Sequence, residues 1–266
     1  MTTGLQVRID KDVAYLTLSA PARMNAMSRQ MWRDLAEVFK DLNRNADLRC
    51  VLLRGEGAHF CAGGDISEYA EFRFEEASLQ AFHEQDVWGG LQSMLDCDLP
   101  VLAQIAGNCV GAGVEIACCC DIRLAARGSR FGAPIGRLGF PMAPREAALV
   151  LREAGAASLR QMLLGAAFID ADVMQQRGFL HGVFEGDTFE AQVASVLERV
   201  RSLAPQAARM NKRMLRTLHP LPWEMDDSQP AMSALLGNAY AYADSAEHRE
   251  GIQAFLDKRP AVFLGI

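Results

Sequence analysis

The sequence predicts an α/β fold with a largely parallel sheet, on three observations. Apolar strands alternate with helical runs through the first half of the chain, the order that crossover connections impose on parallel strands. Two of those strands run directly into turns made of small residues. Beyond Arg130-Phe131-Gly132-Ala133-Pro134 the chain becomes mostly helical. With 266 residues, half of them hydrophobic, the chain can bury a substantial core as one large domain, and disorder is argued against.

Each element has a local signature. Leu5 to Asp10 and Val13 to Ser19 alternate apolar and polar residues around Lys11-Asp12, which reads as a β-hairpin. Pro21 to Asn25 is a loop, and Ser28 is an N-cap for a helix through about Asn43, whose Met31, Trp32, Leu35, Val38, Phe39 and Leu42 share one face. A strand, Cys50 to Arg54, leads into the first small-residue turn. Glu68 to Glu76 is charged and irregular, and a helix from about Ala77 to Leu95 ends before Asp98-Leu99-Pro100. The strand Val101 to Ala106, the second turn, a helix from Val114 to Cys119 and a strand from Ile122 to Ala126 follow. Pro144 starts a helix, Ser158 to Leu164 forms another, and Ile169-Asp170-Ala171 opens a short one. Asp187 with Glu190 reads as a capping box for a helix to Leu203, and Pro205 opens the next, to about Leu218. Ser228 to Tyr242 forms a further helix, and Asp244 with Glu247 caps a last one that Pro260 ends.

Composition excludes several functions. A net charge of −6 without a basic block argues against nucleic-acid binding. The seven cysteines show no paired framework, and Cys118-Cys119-Cys120 falls on an apolar helix, so they read as buried reduced thiols of a cytoplasmic protein. The first residues, Met1 to Gln6, carry no signal-peptide pattern. Val101 to Cys120 approaches membrane-span length, but Gln104, Asn108, Glu115 and three glycines interrupt it, so no membrane segment is expected. No phosphate-loop or dinucleotide pattern and no metal-ligand spacing is present, so neither a metal nor a redox cofactor is expected.

The chemistry concentrates at the two turns. Gly107-Asn108-Cys109-Val110-Gly111-Ala112-Gly113-Val114-Glu115 has little side-chain bulk between a strand and a helix. Such a turn admits a ligand close to the backbone, and free N–H groups at a helix start stabilise negative charge. Close packing alone is the other use of such a turn, and this stretch by itself does not decide. The second turn, His59-Phe60-Cys61-Ala62-Gly63-Gly64-Asp65-Ile66, repeats the arrangement, and each could donate one N–H to a single oxyanion.

Together, in this order and spacing, the two segments resemble the enoyl-CoA hydratase/isomerase (crotonase) superfamily. The similarity runs from Ala22-Arg23-Met24-Asn25-Ala26 to the Glu250–Arg259 stretch. The resemblance implies a β/α spiral core over residues 1–200 and a C-terminal helical region over 201–266 that makes homotrimer or hexamer contacts. It implies an acyl-CoA substrate, with coenzyme A as part of that substrate and no separate cofactor. By position, the oxyanion donors are the N–H groups of Gly64 and Ala112, and Glu115 is a catalytic acid/base. Alanine at 112 serves if its φ is negative. Arg23, Met24, Ala62, Gly64 and Ile66 match coenzyme A contacts, and Phe255 and Lys258 match residues that reach the coenzyme of a neighbouring subunit.

One departure sets the expected reaction. Hydratases carry a second glutamate after the segment matching Phe131-Gly132-Ala133-Pro134, where this chain has Ile135; a later acid position holds Met142. One carboxylate suffices to move a proton between carbons or to assist decarboxylation, so an isomerase or lyase is expected over a two-glutamate hydratase. Two alternatives stay open: a catalytically silent acyl-CoA-binding protein, and a hydratase with a substitute for the second glutamate. Ile135, Arg137 and Met142 are acyl-pocket candidates, the segments Glu68 to Glu76 and Arg137 to Arg145 are expected to shape that pocket without specifying a substrate, and Arg137 with Arg145 could bind a polar acyl group or serve as surface arginines. His83, His181, His219 and His248 join no chemical grouping and read as packing or surface residues.

Overall fold

The computed structural model describes residues 4–221 and 235–263. Its main sheet has six strands in the order β1 (Gly4–Asp10), β2 (Val13–Ser19), β3 (Cys50–Gly55), β4 (Val101–Ile105), β6 (Ile122–Ala126) and β9 (Gly182–Phe184). Only the β1–β2 hairpin is antiparallel; each later pair is parallel, as the alternation of strands and helices requires. A second sheet of three short strands joins β5 (Asn108–Val110), β7 (Arg130–Gly132) and β8 (Phe168–Asp170).

The strand pleat sorts side chains to two faces. Val51 and Leu53 enter the larger core with Leu16, Val101 and Ala103, beneath α1 (Arg29–Arg44) and α3 (Trp88–Asp96). Cys50 and Leu52 point the other way, against Phe189, Val193, Leu197 and Val200 of α7 (Gly186–Arg201). Ser28 caps α1 by accepting from the Met31 N–H at 3.2 Å. Burial of Met31, Trp32, Leu35, Phe39 and Leu42 along its inner stripe anchors that helix.

Several expectations are corrected. The run expected as one helix from Ala77 to Leu95 consists of α2 (Glu76–Ala81), a π-helical turn at Phe82–Val87 and α3. The stretch read as irregular, 68–76, begins inside a 3-10 turn at Ile66–Glu71. Asp187 is not an N-cap: α7 starts at Gly186, and Glu190 instead accepts from Gln104 Nε2 at 2.6 Å, a partner distant in sequence. Ser245, not Asp244, caps the last helix, α9 (Ala246–Leu256), by accepting from the His248 N–H. The two helices expected at Pro144 and Ser158 are present as the two arms of α5 (Pro144–Leu163), separated at Gly155, whose φ of 77° and ψ of 157° are not helical. Residues 228–234 of the helix expected to Tyr242 lie outside the described residues, and 238–242 are turn. α8 (Pro205–Leu218) matches its expectation, opening on proline.

Among the described residues no helix is long and apolar enough to cross a membrane. All seven cysteines are buried and free. Desolvation pushes the Cys61 and Cys120 thiols up to about 12, so they pack as small apolar side chains.

Candidate active site

The two small-residue turns are zipped together by backbone. Cys61 pairs with Cys109 in a parallel bridge: the Cys61 N–H donates to Asn108 O at 3.0 Å, and the Val110 N–H donates to Cys61 O at 2.9 Å. Such an approach needs glycine. Gly63 and Gly111 have φ of 118° and 51°, conformations that side chains resist. A Cβ on Gly113 would lie 2.6 Å from Cys61 O. Ala112 opens α4 (Ala112–Cys118) and is not among the residues with positive φ, the condition set for the donor role expected of it. Among the described residues neither the Gly64 nor the Ala112 N–H has a backbone acceptor.

Both donors line one cavity of about 830 Å³. The sequence-predicted residues converge there: Arg23, Met24, Ala62 and Ile66, Glu115 from α4, and Ile135, Arg137 and Met142 all line it. Met24 stands on a loop pinned by buried Asn25, whose side chain donates to Glu56 O and His59 O. Arg23 pairs with buried Asp65, which also caps the turn at Ile66–Glu71. Phe255 and Lys258 line the cavity of their own chain, whereas the resemblance implied a neighbour's. They reach it because α9 packs on the 3-10 turn Ile135–Leu138, where Gly251 abuts the Leu138 carbonyl. Arg145 does not line the cavity; it pairs with Glu84 at 2.9 Å. Arg137 lines it, with one donor on Ala166 O at 3.0 Å.

Glu115 is 6% exposed, and its side chain has no hydrogen bond or ion pair with a described residue. Burial, reinforced by the Glu146 carboxyl, pushes it well above the ordinary carboxylate range, against a smaller opposing pull from Arg73. Its proton is therefore held more tightly than that of an ordinary carboxyl, the direction that suits a group exchanging a proton with carbon.

Four further residues line the cavity without an individual role expected from the sequence, although Tyr69 and Arg73 fall in the Glu68–Glu76 stretch expected to shape the acyl pocket. Glu146, in the first turn of α5, is a second buried carboxylate, raised by desolvation to about 8. His83, expected to be inert, lies 2.7 Å through Nδ1 from Glu146 Oε1 and stacks on Tyr240. Desolvation holds His83 well below its ordinary value, so burial pushes both partners of this pair towards their neutral forms. Arg73 lies over the rings of Tyr69 and Phe140, its guanidinium carbon 4.3 and 4.1 Å from their centroids. The Tyr69 hydroxyl stands against Gly64, 2.0 Å from where a Cβ would be. The available signal was thin: Glu146 precedes the apolar run Ala147 to Leu151, and Arg73 sits between Phe72 and Phe74. Only the π-helical turn and the start of α5 bring His83 and Glu146 together.

Paired backbone donors over a buried carboxylate define a class of thioester enzymes, and comparison with known proteins agrees. Residues 8–265 match the family described as Enoyl-CoA hydratase/isomerase, and the chain belongs to that family. It is 30% identical over 256 residues to the 2,3-dehydroadipyl-CoA hydratase of Escherichia coli K12, covering 95% of each chain. It is 26% identical to a probable enoyl-CoA hydratase of Mycobacterium tuberculosis, over 97% of this chain and 96% of that one. Among solved structures, an enoyl-CoA hydratase/carnithine racemase from Magnetospirillum magneticum has a TM-score of 0.79 at 36% identity, covering 99% of this chain and 96% of that one. A methylmalonyl-CoA decarboxylase bound to 2-nitronate-propionyl-CoA has a TM-score of 0.85 at 25% identity, covering 98% of each.

Proposed function

We propose that the protein binds an acyl-CoA thioester, stabilises its enolate with the N–H groups of Gly64 and Ala112, and moves the α-proton with Glu115. One observation carries this reading: two backbone donors without acceptors and one buried, unpaired carboxylate line a single cavity. Enolate formation concentrates charge on the thioester oxygen, so donors fixed there favour the transition state over the ground state. Arg23 and Met24 hold the coenzyme at the mouth, Ala62 and Ile66 line its path, and Phe255 and Lys258 close over it. The coenzyme belongs to the substrate, and no other cofactor is invoked.

With Ile135 where a second glutamate would stand, isomerisation or carbon–carbon cleavage is favoured over two-glutamate hydration. Glu146 supports a second reading, hydration with this carboxylate as the substitute, since it is buried in the same cavity and raised towards neutrality.

The test is mass spectrometry of acyl-CoAs incubated with the protein in deuterated water. Deuterium uptake lost in Glu115→Gln supports the enolate reading, and gain of water lost in Glu146→Gln supports hydration. Ligand binding with neither change leaves a catalytically silent acyl-CoA-binding protein.

Assembly as a homotrimer or hexamer is part of the same proposal. It is supported by the exposed Met210, Met214, Leu215 and Leu218 of α8. Light scattering reads it directly, and a monomer would remove it. The buried free thiols support a cytoplasmic location.

A further inference from the structure

Arg73 is 1% exposed, lines the cavity, and forms no ion pair with a described residue. Its Nε–H has no hydrogen-bond partner, and one terminal nitrogen reaches only the Tyr242 hydroxyl at 3.4 Å. The chain shows what a structural buried arginine looks like. Arg123, also buried, donates from Nε to Phe179 O at 2.7 Å and from its terminal nitrogen to Cys120 O and Glu153. Arg73 instead lies over the faces of the Tyr69 and Phe140 rings, which stabilise a cation but offer its N–H groups no acceptor oxygen.

Among the described residues, the acids and the histidine that share the cavity interior do not balance it. Burial drives Glu115, Glu146 and His83 each towards the neutral form, whereas a guanidinium stays charged. A lone buried cation is costly unless a ligand pairs with it. Its adjacent N–H groups form the fork that accepts a carboxylate in two parallel hydrogen bonds. Its position fixes where that anion sits. Arg73 stacks on the Tyr69 ring, and the hydroxyl of that ring touches Gly64, the oxyanion donor. A carboxylate on Arg73 is therefore a few bonds from the thioester carbonyl.

We infer that the substrate's acyl group carries a second carboxylate, bound by Arg73, so that the ligand is the coenzyme A thioester of a short dicarboxylic acid. This rests on the acyl-thioester reading and narrows it. Catalysis is not asked of Arg73; it selects the substrate and orients the acyl chain across the oxyanion donors and Glu115.

The experiment measures dissociation constants of the full-length protein by calorimetry for saturated pairs of equal chain length: succinyl- and butyryl-CoA, glutaryl- and pentanoyl-CoA, adipyl- and hexanoyl-CoA. In at least one pair the dicarboxylic thioester should bind about tenfold or more tightly, the scale of a charge-assisted hydrogen-bond pair. Arg73→Met should shrink that gap to about twofold or less, and Arg73→Lys should retain part of it. Equal or tighter binding of the neutral member in every pair overturns the inference, and so does a preference that survives in Arg73→Met. Should Arg73→Met fail to fold, the wild-type pairs still decide. If neutral acyl-CoAs bind and exchange their α-protons without a carboxylate preference, this inference falls and the enolate reading stands. If no acyl-CoA binds, both fall.

Discussion

At residue scale, the site depends on atoms rather than on side-chain identity. Ala112 contributes only an N–H, so Ala112→Pro removes the donor at the first helical position, where proline is best tolerated. Turnover should fall on the order of 100-fold or more, with a smaller change in coenzyme A affinity; steady-state kinetics beside a thermal melt checks this, and unchanged kcat removes Ala112 from the oxyanion pair. Gly64→Ala places a methyl group into the Tyr69 hydroxyl. It should cost turnover similarly, and adding Tyr69→Phe should recover part of the loss, because the collision is with the hydroxyl oxygen. Glu115 and Ala112 were legible in the sequence because they lie within three residues of each other in a motif. Arg73, His83 and Glu146 were not, because each comes from a different element and its neighbours carry no matching spacing.

At the scale of elements, local signals succeeded where the deciding contact is itself local. The β1–β2 hairpin, the Ser28 cap and proline at the start of α5 and α8 all involve partners a few residues apart. Ser28→Ala should cost about 1 kcal/mol, read as a lower denaturation midpoint. The Asp187–Glu190 capping box failed because Glu190 is held by Gln104 of β4, which no local rule can see. The docking of α9 is likewise tertiary. A Cβ on Gly251 would lie 2.2 Å from the Leu138 carbonyl carbon, so Gly251→Ala must displace the helix from the turn beneath it. The expected result is a loss of about 1–3 kcal/mol in stability, together with a raised KM for acyl-CoA, since Phe255 and Lys258 move with α9. Loss of stability with unchanged KM would show that these two residues do not touch the coenzyme.

At the scale of the whole molecule, the cavity's acids tie stability to pH. Glu146 has an ordinary value of 4.5 and is raised to about 8, so between these the unfolded chain gives up a proton that the folded chain keeps. Folded stability therefore falls as pH rises through that window. Glu115 acts in the same direction. The buried His83 and His248 oppose this only below their ordinary value of 6.5, where the unfolded chain binds protons that the folded chain does not. The clean window is pH 6.5 to 8, where the melting temperature of the unliganded protein should decline and Glu146→Gln should flatten the decline. A flat wild-type profile there would mean that Glu146 ionises near its ordinary value.

The sequence by itself determined the strand–turn–helix units, the two small-residue turns, the family and one carboxylate, because each is written in adjacent residues or in an ordered pair of motifs. Tertiary structure alone decided the rest. Parallel pairing of Cys61 with Cys109 sets the two turns side by side. The packing of α9 on the Ile135–Leu138 turn brings Phe255 and Lys258 to their own chain's cavity. The π-helical turn and the start of α5 bury a second carboxylate and a histidine in the same cavity as the first. Burial is the physical reason: it leaves Glu146 and Arg73 unremarkable in the chain and makes them chemically distinctive only once water is excluded.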